Sequence, residues 1–194
     1  MASLSSHWLT LSIFVPIVFG LIVLAFGSDE RPGMTRVLAL IGAIVSFLVT
    51  IPLYVGFNAS TADMQFVEKT IWIPAFSVFY HLGIDGISLW FVLLTAFITI
   101  IVVMAGWEVI TSRIAQYMAA FLILSGLMVG VFVALDGLLF YVFFEATLIP
   151  MYIIVGVWGG PNRVYAAFKF FLYTLLGSLL MLIALIYLYT QSGG

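Results

Sequence analysis

The sequence contains no cysteine. That excludes disulfides, a thiolate nucleophile, Cys-ligated zinc and iron–sulfur clusters together. Charge is scarce too: 7% of residues are Asp, Glu, Lys or Arg, against about 25% in a soluble domain. The net charge is −2 and no basic run occurs, so nucleic acid is not expected as a partner. The two histidines, His7 and His81, stand far apart, without the spacing of a haem or metal pair. No cofactor and no metal is expected on this chain, and any redox chemistry it serves takes place elsewhere.

What the sequence does have is apolar length. Hydrophobic residues make up 65% of its 194 positions, and the mean hydropathy is +1.30. This composition predicts an all-α membrane protein. Crossing ~30 Å of hydrocarbon takes about 20 largely apolar residues, and six stretches meet that length. They are 8–26, 37–57, 84–107, 114–135, 136–158 and 164–190, all in a single transmembrane domain. The first lacks a cationic start and a small-residue cleavage site, so it reads as a retained helix. The longest polar segment, 58–83, reads as an interfacial loop with Trp72, Pro74 and Phe76–Tyr80 at the membrane surface. Gly126 and Gly130 form a small-xxx-small pair suited to close helix approach. Gln191–Gly194 reads as a polar, loop-like end. Arg31, Arg36, Arg113 and Arg163 lie in odd-numbered loops and Lys69 on the opposite side. The positive-inside rule then puts both termini and loop 58–83 outside.

The stretch Asp136–Trp158 carries an acid, Glu145, close to its middle. An ionised carboxylate there costs at least ~2.5–3.5 kcal/mol on insertion scales. It is therefore protonated, paired, or turned to a wet protein interior. At ~100° per residue, Tyr141 and Tyr152 share its face. Pro150 removes the amide that would serve the carbonyl of Ala146, and Thr147 is placed to help re-satisfy that turn. Two readings stand: a neutral, hydrogen-bonded acid that locks packing, or a site that gains and loses a proton. The second is preferred, because an intramembrane ionisable residue is a functional candidate by default.

Lys169 is the second unusual charge. It lies roughly 7–8 Å inside the last span, with Tyr165 and Tyr173 one turn to either side. Snorkelling of its stem to the headgroups and a functional role both remain open. Glu145 lies about 19 Å from the same surface, an axial gap near 12 Å that two side chains do not close. A direct pair is not expected. Asp85 and Asp136 begin spans and read as N-caps; His81 reads as interfacial.

Three stretches resemble a known family. His81–Phe97 (HLGIDGISLWFVLLTAF), Phe140–Gly160 (FYVFFEATLIPMYIIVGVWGG) and Ala166–Leu185 (AAFKFFLYTLLGSLLMLIAL) resemble the third, fifth and sixth helices of the antiporter-like subunits of NADH:quinone oxidoreductase (respiratory complex I), its M type in particular. The same family includes subunits of multi-subunit Na⁺/H⁺ antiporters and membrane-bound hydrogenases. The resemblance implies the N-terminal part of an antiporter-like fold in a bacterial inner (plasma) membrane. It also implies a membrane-arm subunit, beside other such subunits, coupling electron transfer from NADH to quinone to proton pumping, with no redox chemistry in this chain alone. Glu145 matches the family's fifth-helix glutamate, charge-coupled to a lysine on the seventh helix. Lys169 matches its lysine near the start of the sixth. Members have about fourteen helices built from inverted repeats, whereas this sequence stops after the sixth, so it is expected to be a partial sequence or a truncated product. The alternatives are an Na⁺/H⁺ antiporter or membrane-bound hydrogenase subunit, and a structural membrane scaffold.

Overall fold

A computed structural model describes residues 7–192. In chain order it has α1 (Trp8–Phe26), α2 (Pro32–Val55), β1 (Gln65–Ile73), a 3-10 turn (Pro74–Phe76), β2 (Val78–Ile84), α3 (Gly86–Val109), α4 (Ile114–Val133), α5 (Gly137–Trp158) and α6 (Arg163–Ser192). All six helices are long and apolar enough to cross a membrane. Their ends follow local chemistry. Helix α2 begins at Pro32, earlier than hydropathy suggests, because proline at the first helical position gives up an amide that has no helical partner anyway. Thr35 ties that first turn to the preceding loop: its hydroxyl accepts from the Ser28 amide at 3.0 Å and is buried. Helix α6 runs through Gln191 and Ser192, which the sequence reading gave to a loop. Gly193 and Gly194 lie outside the described residues.

The segment expected as an interfacial loop is instead an antiparallel hairpin, β1 with β2, its pairs running from Gln65↔Ile84 to Ile73↔Val78. β-branched and aromatic residues at 66–73 and 78–84 favour this, and Ser77 turns the chain with a φ of 52°. A bulge between Gln65 and Glu68 is marked by Phe66 at φ 53°. A bulky residue in that region costs ~1–3 kcal/mol. It persists because the Phe66 ring packs on the core while the following turn of strand delivers Glu68 inward.

The hairpin sits over the N-terminal ends of α1, α3 and α5. Asp85 caps α3 in a reciprocal box with Ser88, its carboxylate accepting the Ser88 amide at 2.7 Å. Asp136 caps α5 through the Leu138 and Leu139 amides, and its other oxygen accepts the Phe79 amide of β2 at 3.0 Å. The α4–α5 turn is stitched to the same strand by Leu135 donating to the His81 carbonyl at 2.8 Å. Glu68 caps α1 from across the chain, taking the Leu9 amide at 2.9 Å and the Thr10 amide at 3.3 Å. At the opposite end Asp29 does the same for α4, accepting the Arg113 and Ile114 amides, each at 2.7 Å. Four of the chain's eight acids thus serve helix N-termini, where backbone amides lack partners and the dipole favours negative charge.

Helix α4 is the most enclosed of the six and α6 the least. Small residues let α4 be approached closely. A Cβ on Gly126 would stand 2.4 Å from the Ile13 carbonyl oxygen of α1, and one on Gly130 would stand 2.5 Å from the Phe143 ring of α5. The small-xxx-small pair therefore serves two different neighbours. Two apolar cores result, one beneath the hairpin around Leu9, Leu53, Leu82 and Val133, the other at the far end around Val23, Ala39, Val103 and Met118.

Candidate proton site on helix α5

Helix α5 presents Glu145 nine residues, roughly 13 Å, from its Asp136 cap. The side chain is half-buried. Its Oε1 atom is fully buried and has no hydrogen-bond partner. A buried carboxylate oxygen without a donor is an expensive arrangement, so this atom is the least satisfied acidic group among the described residues. The Tyr141 hydroxyl, one turn back, interacts with the Glu145 carboxylate and with Ser178 of α6. Ser178 is buried and donates to the Leu175 carbonyl at 2.9 Å. The three polar groups Glu145, Tyr141 and Ser178 therefore form a small cluster at the α5–α6 interface.

Tyr152 shares the face, as helical geometry requires, but its ring is engaged by aromatics of α6. It meets Phe171 edge-on at 5.5 Å and Phe168 at 6.1 Å. Thr147 donates to the Phe144 carbonyl at 2.6 Å, so its hydroxyl serves the turn before the one that Pro150 opens. The Ala146 carbonyl is not its partner.

Lys169 is exposed, and its ammonium lies 5.8 Å from the centre of the Tyr165 ring. No ion pair joins it to Glu145 among the described residues. The reason is angular as well as axial. Nine residues separate Lys169 from Ser178, about 180° around a helix, and Ser178 together with Ala167 marks the buried side of α6. Lys169 therefore points away from α5. Sequence reasoning singled out Glu145 and Lys169 as candidates and passed over Ser178, which is one of several hydroxyl-bearing residues on α6 and is set apart by its burial, not by any sequence pattern.

The described residues thus form a six-helix bundle of membrane-spanning type, with a mid-span carboxylate, a proline inside the helix that carries it and a hairpin across one end. Comparison with known proteins places it more closely. Residues 134–194 match the family described as NADH:quinone oxidoreductase/Mrp antiporter, transmembrane. NADH-quinone oxidoreductase subunit M of Rhodobacter capsulatus is 47% identical over 188 residues, covering 95% of this chain and 36% of that one. Among solved structures, respiratory complex I from Thermus thermophilus with bound NADH contains a chain that superposes with a TM-score of 0.81 at 31% identity, again over 95% of this chain and 36% of the other. The Mrp complex from Dietzia sp. DQ12-45-1b gives a TM-score of 0.79 at 20% identity over 95% of this chain and 20% of that chain, a likeness of fold. The chain belongs to the antiporter-like family of respiratory membrane subunits, and within it to the M type. It spans about a third of the length of the curated relatives it matches.

Proposed function

We propose that the chain forms part of a proton-translocating membrane-arm subunit of an NADH:quinone oxidoreductase, with Glu145 as a group that is alternately protonated and ionised. The observation that carries this reading is the buried, unpartnered Oε1 of Glu145 beside Tyr141 and Ser178. A packing acid would have its oxygens satisfied by donors. An acid meant to exchange a proton keeps one position open for a donor, an acceptor or a cation that comes and goes. A cation brought near Glu145 favours its ionised form, and its withdrawal leaves an uncompensated charge in apolar surroundings, which favours proton uptake. Electron transfer elsewhere in the complex drives that alternation, so no redox group is needed here. Tyr141 offers the carboxyl a hydroxyl that can donate or accept as the charge changes, beside a Ser178 hydroxyl whose own proton is committed to the Leu175 carbonyl and whose oxygen is left as an acceptor.

Lys169, which faces away from α5, is a secondary element of the same path, reached from the far side of α6. The protein is multi-pass, and a bacterial inner membrane with neighbouring membrane-arm subunits is its proposed setting. The higher identity to the complex I chain than to the Mrp chain, 31% against 20%, favours quinone-linked pumping over Na⁺/H⁺ exchange. In the full-length protein within its complex, Glu145→Gln is expected to assemble near normally and to lose most proton pumping. Pumping at the wild-type level in assembled Glu145→Gln complexes would contradict the proposal; pumping that responds to a Na⁺ gradient would favour the antiporter reading.

A further inference from the structure

Arg113 ends the α3–α4 turn in a left-handed conformation, φ 53°, and begins α4. Its amide is held by Asp29, but its exposed guanidinium makes no hydrogen bond or ion pair among the described residues. Two clefts meet at this side chain. One, of about 370 Å³, is polar and bounded by Ser28, Asp29 and Glu30, whose carboxylate is likewise exposed and without a partner among the described residues. The other, of about 390 Å³, is an apolar groove running along α4 and α5. Ala119 and Ala120 keep its floor low, and Ile123, Ile149, Ile153 and Val157 form its walls. Arg113 and Gln116 line both clefts, standing where polar gives way to apolar.

The dimensions suit one leaflet. From Arg113 to Ile123 is ten residues, about 15 Å along the helix, half of the ~30 Å hydrocarbon thickness. The groove also begins beside Trp158, whose indole donates to the Ser112 carbonyl at 3.1 Å and packs edge-on against Tyr117. An amphipathic aromatic so placed marks the headgroup level of a membrane. A phosphate suits a free guanidinium, which binds it through paired donors. A free carboxylate a short way off suits an ammonium.

From this arrangement we infer that the α4–α5 groove is a binding site for a single phospholipid with a zwitterionic, amine-bearing headgroup: phosphate on Arg113, ammonium on Glu30, and an acyl chain lying between α4 and α5. The chain's far end reaches Ile149, one turn from Glu145, so the lipid closes that approach to the carboxylate with hydrocarbon. Charge complementarity at both ends of the headgroup and a one-leaflet length distinguish this groove from the apolar one between α2 and α3, which is lined by Phe47, Tyr54, Trp90 and Phe97 and offers no charge.

The test uses the full-length protein in its complex, reconstituted in vesicles of phosphatidylethanolamine and phosphatidylglycerol. A trace of phosphatidylethanolamine carries a photoactivatable group midway along one acyl chain. After illumination, labelled positions are mapped by mass spectrometry. Label is expected within 119–123 and 149–157, reduced about tenfold by Arg113→Gln, as loss of a charge-assisted contact dictates. Ala120→Leu, which fills the groove and leaves the headgroup contacts alone, should reduce it as well. Glu30→Gln should lower labelling by the phosphatidylethanolamine probe and leave a phosphatidylglycerol probe unaffected. Absence of label from both stretches would overturn the inference, as would labelling insensitive to Arg113→Gln and Ala120→Leu, the mark of ordinary annular lipid. Capture of another protein segment by a cysteine placed at Ile153 would overturn it too, showing the groove to be filled by polypeptide.

Discussion

Removing the Glu68 carboxylate should loosen the start of α1, although the two residues are far apart in sequence. Helix α1 has no cap of its own: His7 precedes it and makes no side-chain capping bond. Glu68 supplies the cap from the hairpin, accepting the Leu9 and Thr10 amides at 2.9 and 3.3 Å and the Thr10 hydroxyl as well. His7 Nδ1 lies 3.5 Å from the same carboxylate, and the Tyr80 hydroxyl lies 3.0 Å from the Thr10 hydroxyl. Glu68 is 6% exposed and Leu9 is fully buried, so water does not replace what is lost. Leaving the Leu9 amide unsatisfied costs about 1–3 kcal/mol, and loss of negative charge at the helix N-terminus about 0.3–1 kcal/mol more. For Glu68→Ala the expected total is about 2–3 kcal/mol of local stability, a ~30- to 150-fold rise in opening at 1.4 kcal/mol per factor of ten. Hydrogen–deuterium exchange on the full-length protein in its complex reads this directly as faster exchange of a peptide covering residues 7–13. Glu68→Gln keeps one acceptor oxygen and should lose roughly a third as much. Unchanged exchange in Glu68→Ala would show that solvent or another group caps α1, and the reasoning would fail.

Gly126→Ala should destabilise the α1–α4 contact by about 1–3 kcal/mol, because the added methyl meets the backbone oxygen of Ile13, which cannot swing aside like a side chain; thermal unfolding of the detergent-solubilised protein checks this, with Gly33→Ala, where nothing lies within 4 Å, as the control. Lys169→Arg is expected to retain most pumping and Lys169→Ala to reduce it only partly, since the ammonium is exposed and held by a ring and not by a carboxylate; complete loss in both variants, measured in assembled complexes, would place the lysine in an obligatory relay.

The helices were legible in the sequence because apolar length is a sufficient signal for a membrane span. Asp85 and Asp136 could be read as caps because their partners are the next two or three residues. Glu68 and Asp29 could not, since a cap supplied from 58 or more residues away leaves no local pattern. The hairpin was hidden for another reason. Its Trp, Phe and Tyr residues are equally at home in an interfacial loop, and aromatic-belt reasoning outweighed the β-propensity of residues 66–73 and 78–84. At the candidate site, hydropathy exposed Glu145 and helical angles found Tyr141. Ser178 comes from another helix, and its contact depends on how α6 is rotated, which periodicity fixes only weakly in a helix buried on so little of its surface. Axial distance alone separated Lys169 from Glu145; the rotation of α6 separates them further.

In the proposed cycle Glu145 changes protonation during turnover. Redox-triggered infrared difference spectroscopy on the intact complex measures it directly. The expected result is a carboxyl-stretch signal that appears and vanishes with turnover in the wild type, shifts in Tyr141→Phe, and is absent in Glu145→Gln. A carboxyl spectrum that stays constant through turnover, or a changing signal that survives Glu145→Gln, would contradict it.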